Sequence, residues 1–258
     1  MNEFSQWTHH APLVIAHRGA SAYAPENTLA AFIRAVELNA DAVELDAKLL
    51  KDGSIIILHD TTLDRTSNGT GSIYRYSFHE IRNLDAGSQF SKEFVGERIP
   101  TLEAVFEKIG GDILINVELT NYTRPRDQLP LKVIRLIQRY KLQKKVLLSS
   151  FNPLALMVAK RVDPEIPRAL LVHAGEPEII RMILRKVVDH IAFHPDQSLI
   201  TKKLMAEARK NRKIVNAWTV NDRTRMAELL TFGVDGLITD FPDVARNVLN
   251  EMKKKEAM

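Results

Sequence analysis

Along nearly the whole chain, short apolar runs alternate with longer amphipathic stretches. The runs at 13–17, 42–50, 113–119, 145–151, 168–173, 190–194, 214–220 and 236–240 are short and largely apolar. That pattern is what strands covered on both faces require. Between them the spacing turns helical. Leu29, Phe32, Ile33 and Val36 fall at i, i+3, i+4 and i+7, with Asn27 or Thr28 available as N-cap. Further helices are predicted over 102–109, 131–140, 153–161, 176–186, 198–211, 222–232 and 242–253. Strict alternation of strands and helices implies parallel pairing through right-handed crossovers. The expected fold class is α/β, a (β/α)8 TIM barrel. An open doubly wound sheet is the alternative, but no Gly-x-Gly-x-x-Gly follows the first strand.

One run breaks the alternation. Ser54-Ile55-Ile56-Ile57-Leu58-His59 follows the second strand after only Lys51-Asp52-Gly53. So short a link closes an antiparallel hairpin and cannot carry a parallel crossover. His59 is thereby expected to return to the barrel mouth. From 60 to 100 the chain is polar and Gly-rich, as in "DRTSNGTGS". A structureless loop of that length would be foreign to a compact domain. The segment is read as a small insertion after strand two, with one helix near 77–84. Residues 1–258 are otherwise taken as a single barrel domain.

Composition narrows the partners. The chain carries 36 Lys and Arg against 32 Asp and Glu, a net charge of +4, with a pI near 9.2. That balance suits an anionic small molecule, although Lys253, Lys254 and Lys255 sit in a tail expected to fray. No basic stripe with a reading element is present, so nucleic acid is not an expected partner. The sequence contains no Cys, which rules out disulfides and thiolate metal sites and suits a reducing compartment. The opening residues lack a basic n-region followed by an apolar h-region, and no apolar run reaches the roughly 18 residues of a membrane span. The expectation is a cytoplasmic protein without stable membrane insertion; its oligomeric state is not legible.

In a barrel of this kind, chemistry gathers at the C-terminal strand ends. Strand one stops at His17-Arg18-Gly19, where glycine permits a sharp turn. Glu44 and Asp46, in "AVELDAKL", are two apart and share one face, roughly 6.5–7 Å along the strand. Two carboxylates aimed at a barrel axis demand a cation or a proton. Glu118 ends the third strand and adds another oxygen donor on the same rim. Three hard carboxylates without thiolates suit one divalent cation, Mg2+, Ca2+ or Mn2+. Histidine is the side chain that exchanges protons near neutral pH, so His17 and His59 form a natural acid–base pair. Arg18, planar and permanently charged, suits bidentate contact with a phosphate. His9 and His10 lie near the start and His79 in the insertion; His173 and His194 end strands five and six, within reach of the site rim, and are read as structural. Asp240 is read as a cap on the last helix.

The segments "AHRGASAYAPENTLAAF", "ADAVELDAKLLKDGSIIILHDTTLDRTSNGTG", "LDAGSQF", "GERIPTLEAVF", "INVEL", "VNAWTVND" and "GVDGLITDFPD" resemble, in order, the glycerophosphodiester phosphodiesterase family. The resemblance implies a phospholipase-C-like TIM barrel with a small insertion after strand two. It further implies metal-dependent hydrolysis of glycerophosphodiesters to glycerol 3-phosphate and an alcohol. Carried over residue by residue, His17 and His59 are the general acid and base. Glu44, Asp46 and Glu118 are the metal ligands, Arg18 a phosphate contact, and Trp218 a lining residue of the mouth. In the family's route a histidine helps a glycerol hydroxyl attack phosphorus, the other protonates the leaving alcohol, and water then opens the cyclic phosphate. Direct attack by water fits the same residues.

One position departs from the resemblance. Many members carry a lysine two residues after the third carboxylate, where this chain has Thr120. Arg124 or Arg126 reaching in, or Arg18 with the metal alone, are the expected substitutes. A rival reading is lysophospholipase D or sphingomyelinase-D-like action on a lipid phosphodiester. It calls for an apolar groove or interfacial element, for which only scattered residues such as Phe90 and Phe94 offer themselves. A non-catalytic phosphodiester-binding barrel would be natural if a histidine or carboxylate were missing, and all five are present. An amidohydrolase-type barrel is disfavoured because the first strand lacks His-x-His.

Overall fold

The computed structural model describes residues 5–8 and 12–256, so His9 and His10 lie outside the described residues. One sheet contains β1 (Leu13–Ala16), β2 (Ala42–Leu49), β3 (Ile55–Ile57), β4 (Leu114–Leu119), β5 (Val146–Ser150), β6 (Arg168–Val172), β7 (Ala192–Pro195), β8 (Ile214–Ala217) and β9 (Gly236–Thr239). All except β3 run parallel to their neighbours, and β1 pairs with both β2 and β9, which closes the barrel. Strand β3 lies antiparallel on β2, with Ala47 opposite Ile57 and Leu49 opposite Ile55. The helices are α1 (Ser5–Thr8), α2 (Leu29–Glu37), α3 (Phe78–Ile81), α4 (Leu102–Ile109), α5 (Leu129–Arg139), α6 (Pro153–Val162), α7 (Glu178–Val187), α8 (Lys202–Lys210), α9 (Arg223–Phe232) and α10 (Pro242–Glu256). The fold is the expected TIM barrel.

Each barrel strand obeys one parity. Val14 and Ala16 of β1, Val43, Leu45 and Ala47 of β2, and Ile115, Val117 and Leu119 of β4 join the apolar layer beneath the helices. Their neighbours Leu13, Ile15, Ala42 and Leu114 join Leu147, Ala169, Ala192 and Ile238 in a separate cluster that plugs the barrel interior. Side chains alternate between faces along a strand. The interior set therefore continues toward the C-terminal rim as His17, Glu44, Asp46, Lys48, Asn116 and Glu118. Below the rim the filling is partly polar: Asn116, Ser149, His194 and Asn216 are buried there. His194 Nε2 meets Asn216 Nδ2 at 2.9 Å, and burial pushes the imidazole down to about 3, so it stays neutral.

Helix boundaries move where side chains find other partners. Of the two proposed caps for α2, Thr28 takes the role, its hydroxyl accepting from Ala31 N, which releases Asn27 for the rim. Helix α8 starts at Lys202 because Thr201 caps it, and Gln197–Leu199 before it form a separate short 3-10 turn. The insertion helix shrinks to Phe78–Ile81 between the Ser77–Glu80 capping box and Arg82. Within the insertion, Leu63, Ile73, Ile81 and Ile99 bury against Ile56 and Leu58 in a small core of their own. The lysine-rich end does not leave the helix, since α10 continues through Lys255 to Glu256. Apolar exposure extends beyond the insertion. Phe90 is exposed as expected, edge-on to Phe94, and Met157 on α6 with Ile179, Ile183 and Val187 on α7 also face solvent.

Candidate active site

The turn after β1 sets the geometry. Gly19 has φ +83°, and a Cβ there would stand 2.6–2.8 Å from Ala31 atoms, so only glycine fits. Arg18 itself adopts φ 55°, a conformation that non-glycine residues hold only when their surroundings enforce it. Here the enforcing contact is its backbone N–H, which donates to Glu44 Oε2 at 3.0 Å. The Arg18 carbonyl meanwhile accepts from Asn27 N at 2.9 Å.

Strand register brings the three carboxylates together. Asp46 lies directly opposite Glu118, and Glu44 opposite Asn116. One oxygen from each of Glu44, Asp46 and Glu118 falls within 4.8 Å of the others. Glu44 and Asp46 are 3% and 2% exposed. Burial, then the charge of Asp46 and of Glu118, pushes Glu44 well above the usual carboxylate range. Burial and Asp46 push Glu118 up to about 8, against the hydrogen bond from the Tyr122 hydroxyl. Hard oxygens this close, buried and mutually repelling, form a donor set whose chemistry fits a divalent cation. Asn27 fixes one of them: its Nδ2 donates to Asp46 Oδ2 at 2.8 Å and its Oδ1 accepts from Asp46 N at 3.2 Å.

Both histidines have a carboxylate behind them. His17 Nδ1 lies 2.7 Å from Asp240 Oδ1, and His59 Nδ1 lies 2.7 Å from Asp60 Oδ1. A donor N–H at Nδ1 fixes the tautomer and leaves Nε2 for chemistry. Asp240 is therefore no helix cap, as its oxygens also accept from Ser21 Oγ and Asn221 Nδ2. Asp60 is anchored in turn by Arg65, whose Nε donates at 2.7 Å. That hydrogen bond, with the one from His59, holds the Asp60 carboxylate low despite its partial burial. Arg65 also forks onto Glu26 at 2.7 and 2.8 Å, and Glu26 accepts from Arg18 at 2.9 Å. The insertion thus reaches the rim through Arg65, a link that no sequence motif announces.

A cavity of about 250 Å3 opens over the carboxylates, lined by His17, Arg18, His59, Phe151, His173 and Trp218 among others. All seven expected site residues, His17, Arg18, Glu44, Asp46, His59, Glu118 and Trp218, border this one space. Trp218 stands edge-on to Phe151, and Phe151 edge-on to Tyr122, at 5.5 and 5.6 Å. Its Nε1 donates to His194 O at 2.8 Å. His173, read as structural, lies against Trp218 at the mouth. Neither expected arginine is shown taking the place of a lysine at 120. Arg124 stacks 4.0 Å from the Tyr74 ring centroid, over the insertion. Instead Lys48 of β2 arrives there, donating to Thr120 Oγ1 at 2.9 Å. The period-2 pattern Glu44, Asp46, Lys48 was the available signal for it.

A parallel eight-stranded barrel with an acid–base and carboxylate rim defines a TIM-barrel enzyme with a hydrolase's equipment. Comparison with known proteins narrows this class. Residues 17–244 match the Glycerophosphoryl diester phosphodiesterase family. A glycerophosphodiester phosphodiesterase of Caldanaerobacter subterraneus subsp. tengcongensis is 41% identical over 93% of this chain and 98% of its own. One from Bacillus altitudinis is 33% identical over 93% and 99%. Among solved structures, an Oleispira antarctica phosphodiesterase in complex with the product sn-glycerol-3-phosphate superposes with TM-score 0.86 at 34% identity, covering 93% and 97% of the two chains. The chain belongs to the glycerophosphoryl diester phosphodiesterase family and is an enzyme of that kind.

Proposed function

We propose that this enzyme hydrolyses glycerophosphodiesters of small alcohols to glycerol 3-phosphate and the free alcohol, using one divalent cation and the His17/His59 pair. The observation that carries the reading is the pairing of two carboxylate-backed histidines with a three-carboxylate cluster around one cavity. Glu44, Asp46 and Glu118 would hold the cation, Mg2+, Ca2+ or Mn2+. When bound it supplies Lewis-acid polarisation of a phosphoryl oxygen and a template for the glycerol hydroxyls.

The chain's own groups do the rest. With Nδ1 held by its aspartate, each imidazole presents Nε2 to the cavity. One Nε2 takes the proton of the attacking hydroxyl as the new O–P bond forms. The other gives a proton to the alcohol oxygen as its P–O bond breaks. If the attacking hydroxyl is glycerol's, a cyclic phosphate forms, and water opens it with the two histidines reversing roles. If it is water, glycerol 3-phosphate forms directly. Arg18 contacts the phosphate, and Trp218 with Phe151 lines the space beside it.

The test is phosphorus NMR on metal-stripped protein with glycerophosphocholine, with and without Mg2+, Ca2+ or Mn2+. Glycerol 3-phosphate appearing only with a cation, and lost in His17→Ala and His59→Ala, is the expected outcome. A transient cyclic phosphate signal identifies the two-step route. Cation-independent turnover, or none on this substrate with choline release from lysophosphatidylcholine, overturns the reading.

A further inference from the structure

Among the described residues, Lys48 is the charged residue of the barrel interior for which the proposed chemistry has so far named no task. It stands on the same face of β2 as Glu44 and Asp46, one pleat nearer the mouth, and is only 3% exposed. Its ammonium donates to Thr120 Oγ1 at 2.9 Å and to Thr120 O at 3.3 Å. Thr120 Oγ1 in turn donates to Ala47 O at 2.6 Å, which fixes the hydroxyl's direction. An ammonium has three N–H donors. Among the described residues only Thr120 accepts from this one. Lys48 also borders a second cavity, of about 390 Å3, together with His59, Asp60, Thr61, Thr62, Tyr122 and Thr123. His59 borders both this cavity and the one over the carboxylates.

A buried ammonium is costly unless opposite charge or a ligand meets it. Asp46, Glu118 and Asp60 supply the nearby negative charge. Lys48 adds to Arg18 a second fixed positive charge at the rim, of the sign that a phosphodiester monoanion complements. We propose that Lys48 is a phosphate-binding residue of this enzyme, its free N–H directed to a non-bridging oxygen, with Thr120 as its positioning residue. The inference rests on the phosphodiesterase reading above, and its test separates the two.

Lys48→Met keeps the side-chain length and removes the charge. Wild type, Lys48→Met and the exchange variant Lys48→Met/Thr120→Lys are compared in three measurements. These are turnover of glycerophosphocholine, calorimetric binding of glycerol 3-phosphate to cation-loaded protein, and cation affinity. Lys48→Met is expected to lose about 100-fold in kcat/KM and to bind glycerol 3-phosphate about tenfold more weakly. Its cation affinity and melting temperature should be retained, and the exchange variant should recover about tenfold of the lost kcat/KM. Glycerol 3-phosphate binding within about threefold of wild type, or a loss reversed by excess cation, overturns the proposal. Should wild type bind glycerol 3-phosphate through Lys48 yet hydrolyse no glycerophosphodiester, the functional reading falls while the role of Lys48 stands.

Discussion

His17 and Asp240, at opposite ends of the chain, meet with Nδ1 and Oδ1 2.7 Å apart. The contact follows from barrel closure. Strand β1 pairs with β9 so that Ala16 lies opposite Thr239, and the next residues on each strand become neighbours at the rim. In the proposed reaction the aspartate would hold the Nδ1–H tautomer and stabilise the imidazolium formed as His17 takes a proton. Asp240→Asn keeps the shape but offers an amide N–H where an acceptor is needed. It is expected to lower kcat by about 100-fold or more with little change in cation affinity. Steady-state kinetics beside calorimetric cation titration would check this.

Arg65 plays the corresponding part for His59 from within the insertion, through Asp60. Arg65→Ala frees Asp60 and Glu26 together and should lower kcat by about tenfold or more. Loss of a half-exposed ion pair costs little stability, so its thermal midpoint should stay close to wild type. A variant that melts early in proportion to its lost activity would show a structural role instead.

Asn27 sits with φ 59° and clamps Asp46 by two hydrogen bonds. Asn27→Ala removes both and disfavours the turn. Cation affinity should fall about 10–100-fold, measured by competition with a chelating dye, while cation-loaded protein keeps its secondary structure by circular dichroism.

The cation-free protein should lose stability as pH rises. Glu44 and Glu118 are both raised in the folded state, Glu118 to about 8 from an ordinary 4.5. A raised carboxylate favours the folded state below its unfolded pKa, and that contribution is lost as pH climbs through the folded value. Melting temperature without cation should therefore decline between about pH 4.5 and 8. Added cation should offset the decline and release protons on binding. A flat profile in chelator would contradict the burial of these carboxylates.

Gly19→Ala tests the turn that carries Arg18. Its Cβ would meet Ala31 at 2.6–2.8 Å in a backbone with φ +83°. Strain and overpacking together predict a loss of about 2–5 kcal/mol in urea unfolding.

Much of this was written into the linear pattern. Alternating apolar runs and helical stripes are local consequences of burying one face or two, and they specified the strand–helix order before any coordinates. The parity of each strand also placed His17, Glu44, Asp46 and Glu118 toward the axis, because side-chain direction alternates without reference to the rest of the chain. Lys48 obeys the same parity, so its inward direction is legible as well. The long-range partners of Asn27 and Asp240 were not legible. Local chemistry makes Asn27, beside Thr28, a candidate helix cap and Asp240 another, whereas each finds a partner that only the closed barrel supplies.

By itself, then, the sequence determined the order of elements, the inward residues and their chemistry, since periodicity and residue type act over a few neighbours. Only the tertiary structure decided which of those residues touch. Asp240 behind His17, Arg65 behind Asp60 and Lys48 on Thr120 are contacts made by barrel closure, by the packing of the insertion, and by the register of β2 against β4. Long-range pairing of this kind depends on where the whole chain places two strands, and no short window of sequence holds that information.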